Sequence, residues 1–316
     1  MKIFIKDDQA YIPFSKKIEK DGIGIKRDGK LILHPIEVLY LVLNRNAVVV
    51  GDEEMSLTDV FEWCMSRVEN FMPIYCVYED LRRRGQKVNV FEDILVGKFV
   101  FYPIEEVERV KIKDLAKRKF ERLVLAVVDE ENELTYYKVE EVNPVGKHEE
   151  EEFKARGVLV ENRIFTEDFL HKRYFYGSLK GDKTILSILE GAYLVEKGWL
   201  KVYSSGKMLT FEDLVEIGRR KDTEFERRFE VYRDLKERKF VVKTGLKFGS
   251  DFRLYEYIEE KIPHSTYLAT IVDDKSLYAF EIVRAVRLAQ NVRKKLLFVY
   301  KEGGENRYIA VERVKV

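Results

Sequence analysis

The chain has 316 residues, 46% of them apolar and 36% charged, with 57 basic and 56 acidic side chains. It is long enough for two ordinary domains, each with its own core. Its two cysteines form no CxxC pair, which excludes a cysteine-based zinc or redox motif, and its longest apolar run, Val38 to Leu43, is too short to span a bilayer. The N-terminus carries no apolar stretch of the signal-peptide kind, so a cytoplasmic protein with no membrane partner is expected. Dense charge of both signs with few Cys and Gly suits a thermophile. The net charge of +1 hides segregation. Residues 149–152 are four glutamates, 129–133 hold a second acidic run, and Arg284 to Lys295 hold five basic residues and no acidic one. A nucleic-acid partner is therefore compatible with the overall balance.

In chain order, a polar, strand-rich opening leads into an apolar helix at Pro35 to Leu43. Thr58 begins a short second helix, and a longer amphipathic helix ends in Leu81-Arg82-Arg83-Arg84-Gly85, where glycine is a normal stop. Strands at Lys87 to Phe91 and Lys98 to Tyr102, a helix near Val110 to Phe120, and strands at Leu123 to Val128 and Thr135 to Val142 follow. Asn143 to Gly157, with Pro144, Gly146 and the four glutamates, is expected to be a solvated linker. The next apolar helix is predicted from Thr184 to Lys197, a short one from Glu212, and a longer one ending near Lys239. A strand meander is then expected at Phe240 to Lys243, Asp251 to Ile258 and Ser265 to Val272. A helix from Ser276 to Arg293 and strands at Leu296 to Tyr300 and Tyr308 to Val316 complete the chain.

The second half repeats the first. Tyr40-Leu41-Val42 recurs as Tyr193-Leu194-Val195, Leu57-x-Asp59-Val60 as Phe211-x-Asp213-Leu214, and Val77-Tyr78-Glu79-Asp80-Leu81 as Val231-Tyr232-Arg233-Asp234-Leu235, at offsets of 153 or 154. Val139-Glu140-Glu141-Val142 recurs as Val311-Glu312-Arg313-Val314, 172 later, so about eighteen residues enter the second copy between these blocks. The fold class is α/β (α+β), a tandem repeat of a two-subdomain unit. The expected segments are 1–65, 66–143, the acidic linker 144–157, 158–220 and 221–316.

Of the four histidines, His34 stands before a proline at a helix start, His148 lies in the acidic linker, and His171 has no partner pattern. His264 differs: it sits in Pro263-His264-Ser265 between two predicted strands, nine residues after Tyr255. Downstream, Arg284, Arg287, Asn291 and Lys294 or Lys295 fall at i, i+3, i+7 and i+10 or i+11, a basic ridge opposite the apolar Ile282, Ala285, Val286, Ala289 and Val292. Tyrosine, histidine and lysine together suit metal-free cleavage of RNA. A base must take the 2′-hydroxyl proton, an acid must protonate the leaving 5′-oxygen, and a cation must balance the phosphorane. Histidine can be that acid near neutrality. Tyrosine, with an ordinary pKa near 10, needs neighbouring positive charge to serve as base.

The sequence Lys243-Thr244-Gly245-x-Lys247-Phe248-Gly249-x-Asp251-Phe252-Arg253-x-Tyr255, then His264-Ser265-x-Tyr267-Leu268, then Arg287-Leu288-Ala289-x-x-Val292-Arg293-Lys294-Lys295-Leu296 resembles the archaeal tRNA-splicing endonuclease family. The match covers most of the second copy closely and the first weakly, and the tandem arrangement resembles the family's two-repeat, homodimeric form. The resemblance implies that each C-terminal subdomain is a restriction-endonuclease-like mixed sheet flanked by helices. It implies Tyr255 as general base, His264 as general acid and Lys294 as phosphorane stabiliser, with no cofactor and no metal. It also implies that Arg287 and Arg313 sandwich a flipped-out base, with Arg284 as a further RNA contact on the ridge. The substrate would be precursor tRNA with a bulge-helix-bulge, left with 2′,3′-cyclic phosphate and 5′-hydroxyl ends.

The first copy departs from the pattern. Glu121 falls near the Lys294 position and no histidine occurs between Phe91 and Val142, so that copy is expected to be inactive. It keeps Val127-Val128-Asp129-Glu130-Glu131-Asn132-Glu133, which resembles the family's acidic assembly loop. Asp129, Glu130 and Glu131 would dock on a partner subunit to form a twofold dimer. Two other functions compete. Asp251 with Glu259-x-Lys261 loosely fits a metal-dependent DNA nuclease, which gathers carboxylates on a divalent ion. A non-catalytic RNA-binding subunit is the other.

Overall fold

The computed structural model describes residues 1–6, 8–118, 120–258 and 265–316. The chain is a mixed α+β protein of two compact units: 1–140 with 276–284 and 311–316, and 141–275 with 285–310.

The first unit opens with β1 (Lys2–Lys6), β2 (Gln9–Pro13), α1 (Lys16–Lys20), β3 (Ile25–Arg27), β4 (Lys30–Leu33), α2 (Pro35–Arg45) and β5 (Val48–Val50). Their sheet runs β3-β4-β2-β1-β5, with only the β1–β5 pair parallel. Alternation sets its faces: Ile3, Ile12, Leu31, Leu33 and Val49 enter the core, while Phe4, Tyr11 and Ile32 face outward. Next come α3 (Leu57–Met65), α4 (Phe71–Arg83), β6 (Asn89–Phe91), β7 (Ile94–Val96), β8 (Val100–Glu105), β9 (Arg109–Lys111), α5 (Ile112–Lys117), β10 (Leu123–Val128) and β11 (Leu134–Val142). Strands β11-β10-β8-β7-β6 are neighbours in that order, and β8 lies parallel to β10.

The second half contains β12 (Ala155–Val160), β13 (Arg163–Glu167), α6 (Phe169–Lys172), β14 (Ser178–Lys180), β15 (Lys183–Ser187), α7 (Ile188–Glu196), β16 (Leu200–Ser204) and β17 (Lys207–Leu209). This sheet runs β14-β15-β13-β12-β16-β17, the order of the first with one strand added. Then follow α8 (Phe211–Arg219), α9 (Phe225–Glu237), β18 (Val241–Thr244), β19 (Phe252–Tyr255), β20 (Tyr267–Ile271), β21 (Ser276–Tyr278), α10 (Ala279–Asn291), β22 (Lys295–Glu302) and β23 (Glu305–Arg313). Strands β18-β19-β20-β22-β23 are neighbours in that order, and β20 lies parallel to β22.

The same side-chain clamps occur in both halves. The Tyr136 hydroxyl donates to Asp80 on α4 at 2.5 Å, and the Tyr308 hydroxyl donates to Asp234 on α9. Arg84 and Arg238 bind those carboxylates at 2.8 and 3.0 Å and lie over the same two tyrosine rings, at 5.7 and 4.8 Å. Burial, reinforced by the carboxylate, pushes both phenols well above their ordinary range, so each remains a donor. Tyr40 meets Tyr78 edge-to-face, as Tyr193 meets Tyr232. Glu37 and Glu190, three residues after their N-caps, each accept from a glycine amide, Gly24 at 3.0 Å and Gly177 at 2.7 Å.

Three expectations change. Thr184 to Ser187 are strand, because Thr184 and Leu186 alternate into the core while the segment pairs with β13, and the helix starts only after the Ser187 capping box. Ser276 to Tyr278, expected as helix, pair antiparallel with β9. The acidic segment does not stay solvated throughout. Gly146 and His148 donate backbone bonds to Arg238 and Lys239, and Phe153 and Ala155 enter the core. Glu150 is buried in an ion pair with Lys236 and accepts from the Tyr176 hydroxyl at 2.7 Å. Burial opposes ionisation of Glu150, but the His148 ring, 3.5 Å away, and the Lys236 ammonium outweigh it and hold the carboxyl below its usual range.

His34 is the N-cap of α2: its Nδ1 accepts from the Ile36 amide at 3.3 Å while Glu37 accepts from the His34 amide at 2.9 Å. Burial lowers its pKa from 6.5 to about 4. The unfolded chain therefore binds this proton more readily than the folded one between those values. Stability should be greatest above pH 6.5 and fall as pH drops towards about 4. His34→Asn retains a capping side chain, and chemical denaturation at several pH values should show a flatter profile across that window.

Candidate active site

The sequence from β18 to β19 is shaped by its glycines. A Cβ on Gly245 would lie 2.2 Å from Ser250 Oγ and 2.6 Å from Ser250 O, and Gly249 has φ +63°. This tight turn brings Phe248 back beside the sheet. The Phe248 ring lies 5.6 Å from both the Arg253 guanidinium and the Lys294 ammonium.

On β19, Phe252 and Leu254 join the core cluster, so Arg253 and Tyr255 face the other side of the sheet. Leu254 pairs with Tyr267 on β20, and Tyr267 pairs with Lys295 on β22. One step beyond, the Thr266 amide donates to Leu254 O at 2.8 Å and the Lys295 amide donates to Thr266 O at 3.0 Å. Thr266 and Tyr267 thus both stand opposite Leu254, and Tyr255, one residue beyond Leu254, and Lys294, one before Lys295, lie at the same end of the sheet with β20 between them. The backbones of Tyr255 and Lys294 are two strand spacings apart, about 10 Å. Tyr255 is buried on β19, opposite Val241.

Lys294 does not continue the helical ridge. The Arg293 amide donates to Gln290 O at 2.9 Å and the Lys294 amide donates to Ala289 O at 2.9 Å, with Arg293 at φ +56°. This is a Schellman helix end, and it swings Lys294 off the exposed face that carries Arg284, Arg287 and Asn291. Lys294 is 9% exposed and its ammonium donates to Ser265 O at 3.3 Å. Burial, then repulsion from Arg253, holds its pKa below the usual lysine range. The Ser265 hydroxyl is itself buried without a hydrogen-bond partner among the described residues.

The remaining candidates are distributed as follows. His264 and Glu259 lie outside the described residues. Arg287 is exposed on α10 in the second unit, while Arg284, exposed over the Phe280 ring at 5.5 Å, and Arg313, exposed at the end of β23, belong to the first. Asp129 uses its carboxylate within its own hairpin, accepting from the Glu131 and Glu133 amides at 3.0 and 2.8 Å, and leaves Glu130 and Glu131 exposed. Asp251 is similarly engaged: it accepts from the Ile271 amide at 2.9 Å and lies 3.5 Å from Arg228. Sequence reasoning missed Arg253 and Phe248 as neighbours of Lys294, although the i, i+2 spacing of Arg253 and Tyr255 already put those two on one strand face.

In the first half, Val96 pairs with Val100 and Val100 with Leu123, so Gly97 and Arg122 occupy the places held by Tyr255 and Lys294. Arg122, one residue after Glu121, is thus the positional counterpart of Lys294. The short connection 97–99 between β7 and β8 corresponds to the long connection 256–266 between β19 and β20.

Residues 225–308 match the family model described as tRNA intron endonuclease, catalytic C-terminal domain, and residues 150–215 match tRNA intron endonuclease, N-terminal domain. A tRNA-splicing endonuclease of Methanosarcina mazei is 32% identical, the match covering 93% of this chain and 92% of the relative. The chain belongs to the tRNA-splicing endonuclease family. Its Methanosarcina acetivorans relative is 30% identical over 93% of each chain. The tRNA-splicing endonuclease of Pyrococcus horikoshii is 40% identical over 85% of its own length but 46% of this one. This member is accordingly an RNA endonuclease of tRNA splicing, and Tyr255, His264, Arg287 and Lys294 all fall inside the catalytic-domain match. Among the described residues no helix is long and apolar enough to cross a membrane.

Arg293 occupies a conformation that favours glycine. Arg293→Gly should raise stability by up to about 1 kcal/mol, read as a higher midpoint in thermal or denaturant unfolding.

Proposed function

We propose that this endonuclease cuts precursor tRNA at bulge-helix-bulge intron–exon junctions by metal-independent attack of the 2′-hydroxyl, leaving 2′,3′-cyclic phosphate and 5′-hydroxyl ends. Tyr255 takes the 2′-hydroxyl proton, His264 protonates the departing 5′-oxygen, and Lys294 balances the charge of the phosphorane. The observation that carries this is that Tyr255 and Lys294 lie at the same end of the sheet, with Arg253 beside them. A desolvated lysine close to a second cation gains most when an anion arrives, which is the electrostatic requirement of a phosphorane site. Arg287 and Arg313 stack on an unpaired base, and Arg284 extends the contact to the backbone. Engagement of Asp251 by a strand amide and Arg228 argues against its use as a metal ligand.

The fold is a tandem duplication in which each copy ends in a restriction-endonuclease-like sheet. The paired clamps at Asp80 and Asp234 support it, as do the matching strand orders. The first copy is inactive, with Gly97 and Arg122 in place of the tyrosine and lysine. The chain acts as a homodimer in which Glu130 and Glu131, on a hairpin shaped by Asp129, dock on the partner subunit, giving two sites for the two cuts an intron needs.

End-labelled precursor tRNA should be cut twice in excess EDTA, with cyclic-phosphate and 5′-hydroxyl termini. Cleavage that appears only after magnesium is added would replace this mechanism with a metal-dependent one. Lys294→Ala should lower the single-turnover rate by at least about a hundredfold while leaving RNA affinity largely intact; equal losses in both would make Lys294 a binding residue.

Reversing charge at Glu130 and Glu131 together should shift the sedimentation coefficient from dimer to monomer. A dimer that survives the double reversal removes the docking role of this hairpin.

A further inference from the structure

The outward face of the first sheet, far in sequence from the catalytic motifs, has an unusual composition. Its central row, one residue per strand, is Ile25, Ile32, Tyr11, Phe4 and Val50. Phe4 and Tyr11 stack at 5.7 Å with 28° between their planes, and Ile25 is 69% exposed. Two residues along, Arg27 pairs with Lys30 on the same face, and Lys2 is in step on β1; Lys6 stands on the opposite side of the row. Strands β1 to β5 contain five basic residues and no Asp or Glu, in a chain with 56 acidic side chains. Among the described residues the acids on the two hairpin turns are Asp28, at the β3–β4 turn, and Asp8, which is paired with Arg67; Asp7, beside it in the sequence, lies outside the described residues.

On this face Lys30 Nζ already lies 4.0 Å from the Tyr11 ring centre; Lys26, level with the core residue Leu31, is on the other side of the sheet, 4.3 Å from the Phe14 ring centre. None of the five basic residues is in an ion pair with the described residues. Beside Ile25 and Ile32 the face runs into a cavity of about 530 Å³ whose walls include Trp63, Arg67 and Phe91 and also the carboxylates of Asp8 and Glu37, with the Arg67 guanidinium over the Trp63 ring at 4.5 Å.

We propose that this face is a second RNA-binding surface, taking unpaired nucleotides of the precursor outside the cleaved junction. Stacking rings flanked by unpaired cations fit bases and phosphates at once, whereas an acidic peptide would use only the charge. The Lys30 ammonium over Tyr11 can move to a phosphate as a base takes its place on the ring, so it keeps a partner. The second sheet has a related layout. Its row Ile185, Phe165, Val158, Tyr203 is flanked by Lys183, Arg156 and Lys201, but Glu167 interrupts the basic side. The cleaner charge selects the first sheet.

The proposal rests on the chain being an endonuclease of precursor tRNA, and the test keeps the two apart. Filter retention, which needs no cleavage, measures affinity for full-length intron-containing precursor tRNA and for a minimal bulge-helix-bulge duplex across a salt series. The paired change Lys2→Glu and Lys30→Glu should weaken full-length precursor binding about tenfold and make the log–log salt slope shallower by about 1 to 2. Binding and cleavage of the minimal duplex should be unchanged. Tyr11→Ala should weaken precursor binding with little change in slope; because it could unfold the sheet, the exposed lysine pair decides the question. Unchanged affinity and slope for the full-length RNA in the lysine variant would overturn the proposal, even if both RNAs are cut normally.

Discussion

A single interaction holds each half together: a buried tyrosine hydroxyl on the last strand, bonded to an aspartate on the long helix, with an arginine one turn further along the helix closing over the ring. It ties the C-terminal end of the polypeptide segment to its middle. In the second half, Tyr308 on β23 is fixed to α9 through Asp234, and α9 supplies Phe225, Phe229, Tyr232 and Leu235 to the core on which Phe252, Leu254, Leu297 and Val299 lie. With one sheet face committed to that core, the alternate residues Arg253 and Tyr255 have only the opposite face left. Removing the aspartate would strand a buried phenol, which is more damaging than losing an exposed bond.

The halves diverge where the sheet is free to vary. Between β7 and β8 a minimal connection turns the chain directly, whereas the longer connection between β19 and β20 begins after Tyr255 and ends with Ser265 and Thr266. Lys294 is placed by a different device, the helix end at Arg293, whose backbone conformation is unfavourable for a side chain but turns the lysine towards Ser265 O. The positively charged group is held in a poorly solvated position before any substrate is present, and this preorganisation is what makes a fixed charge effective.

Much of this was legible in the residues alone. The offset of 154 located both long helices and Asp80 and Asp234, because side chains in a shared core tolerate few replacements. The common face of Arg253 and Tyr255 was available in the alternation Phe252-Arg253-x-Tyr255 but was not read from it. Helical spacing failed at Lys294, since the i+10 projection assumes an uninterrupted helix and nothing in Val292-Arg293-Lys294 announces a left-handed residue where glycine is usual. The β9–β21 pair was invisible because it joins three-residue segments more than 160 positions apart, as Lys111 and Ser276 show. The acidic run misled for a different reason: four identical glutamates read as solvated, but only the register of Glu150 against Lys236 decides which of them is buried.

The two hairpin tips have opposite fates. In the first half Glu130 and Glu131 project freely. In the second, Arg227 grips Asp273 through two bonds of 2.8 Å and Asn306 at 2.6 Å, while Lys301 reaches Glu230 at 2.7 Å. The second hairpin is thus held to its own unit at Lys301 and Asn306, while residues 302–305 at its tip stay exposed. Duplication has therefore given two tips unlike in charge and in freedom, so the internal repeat of the fold is not matched by a repeat of its surface.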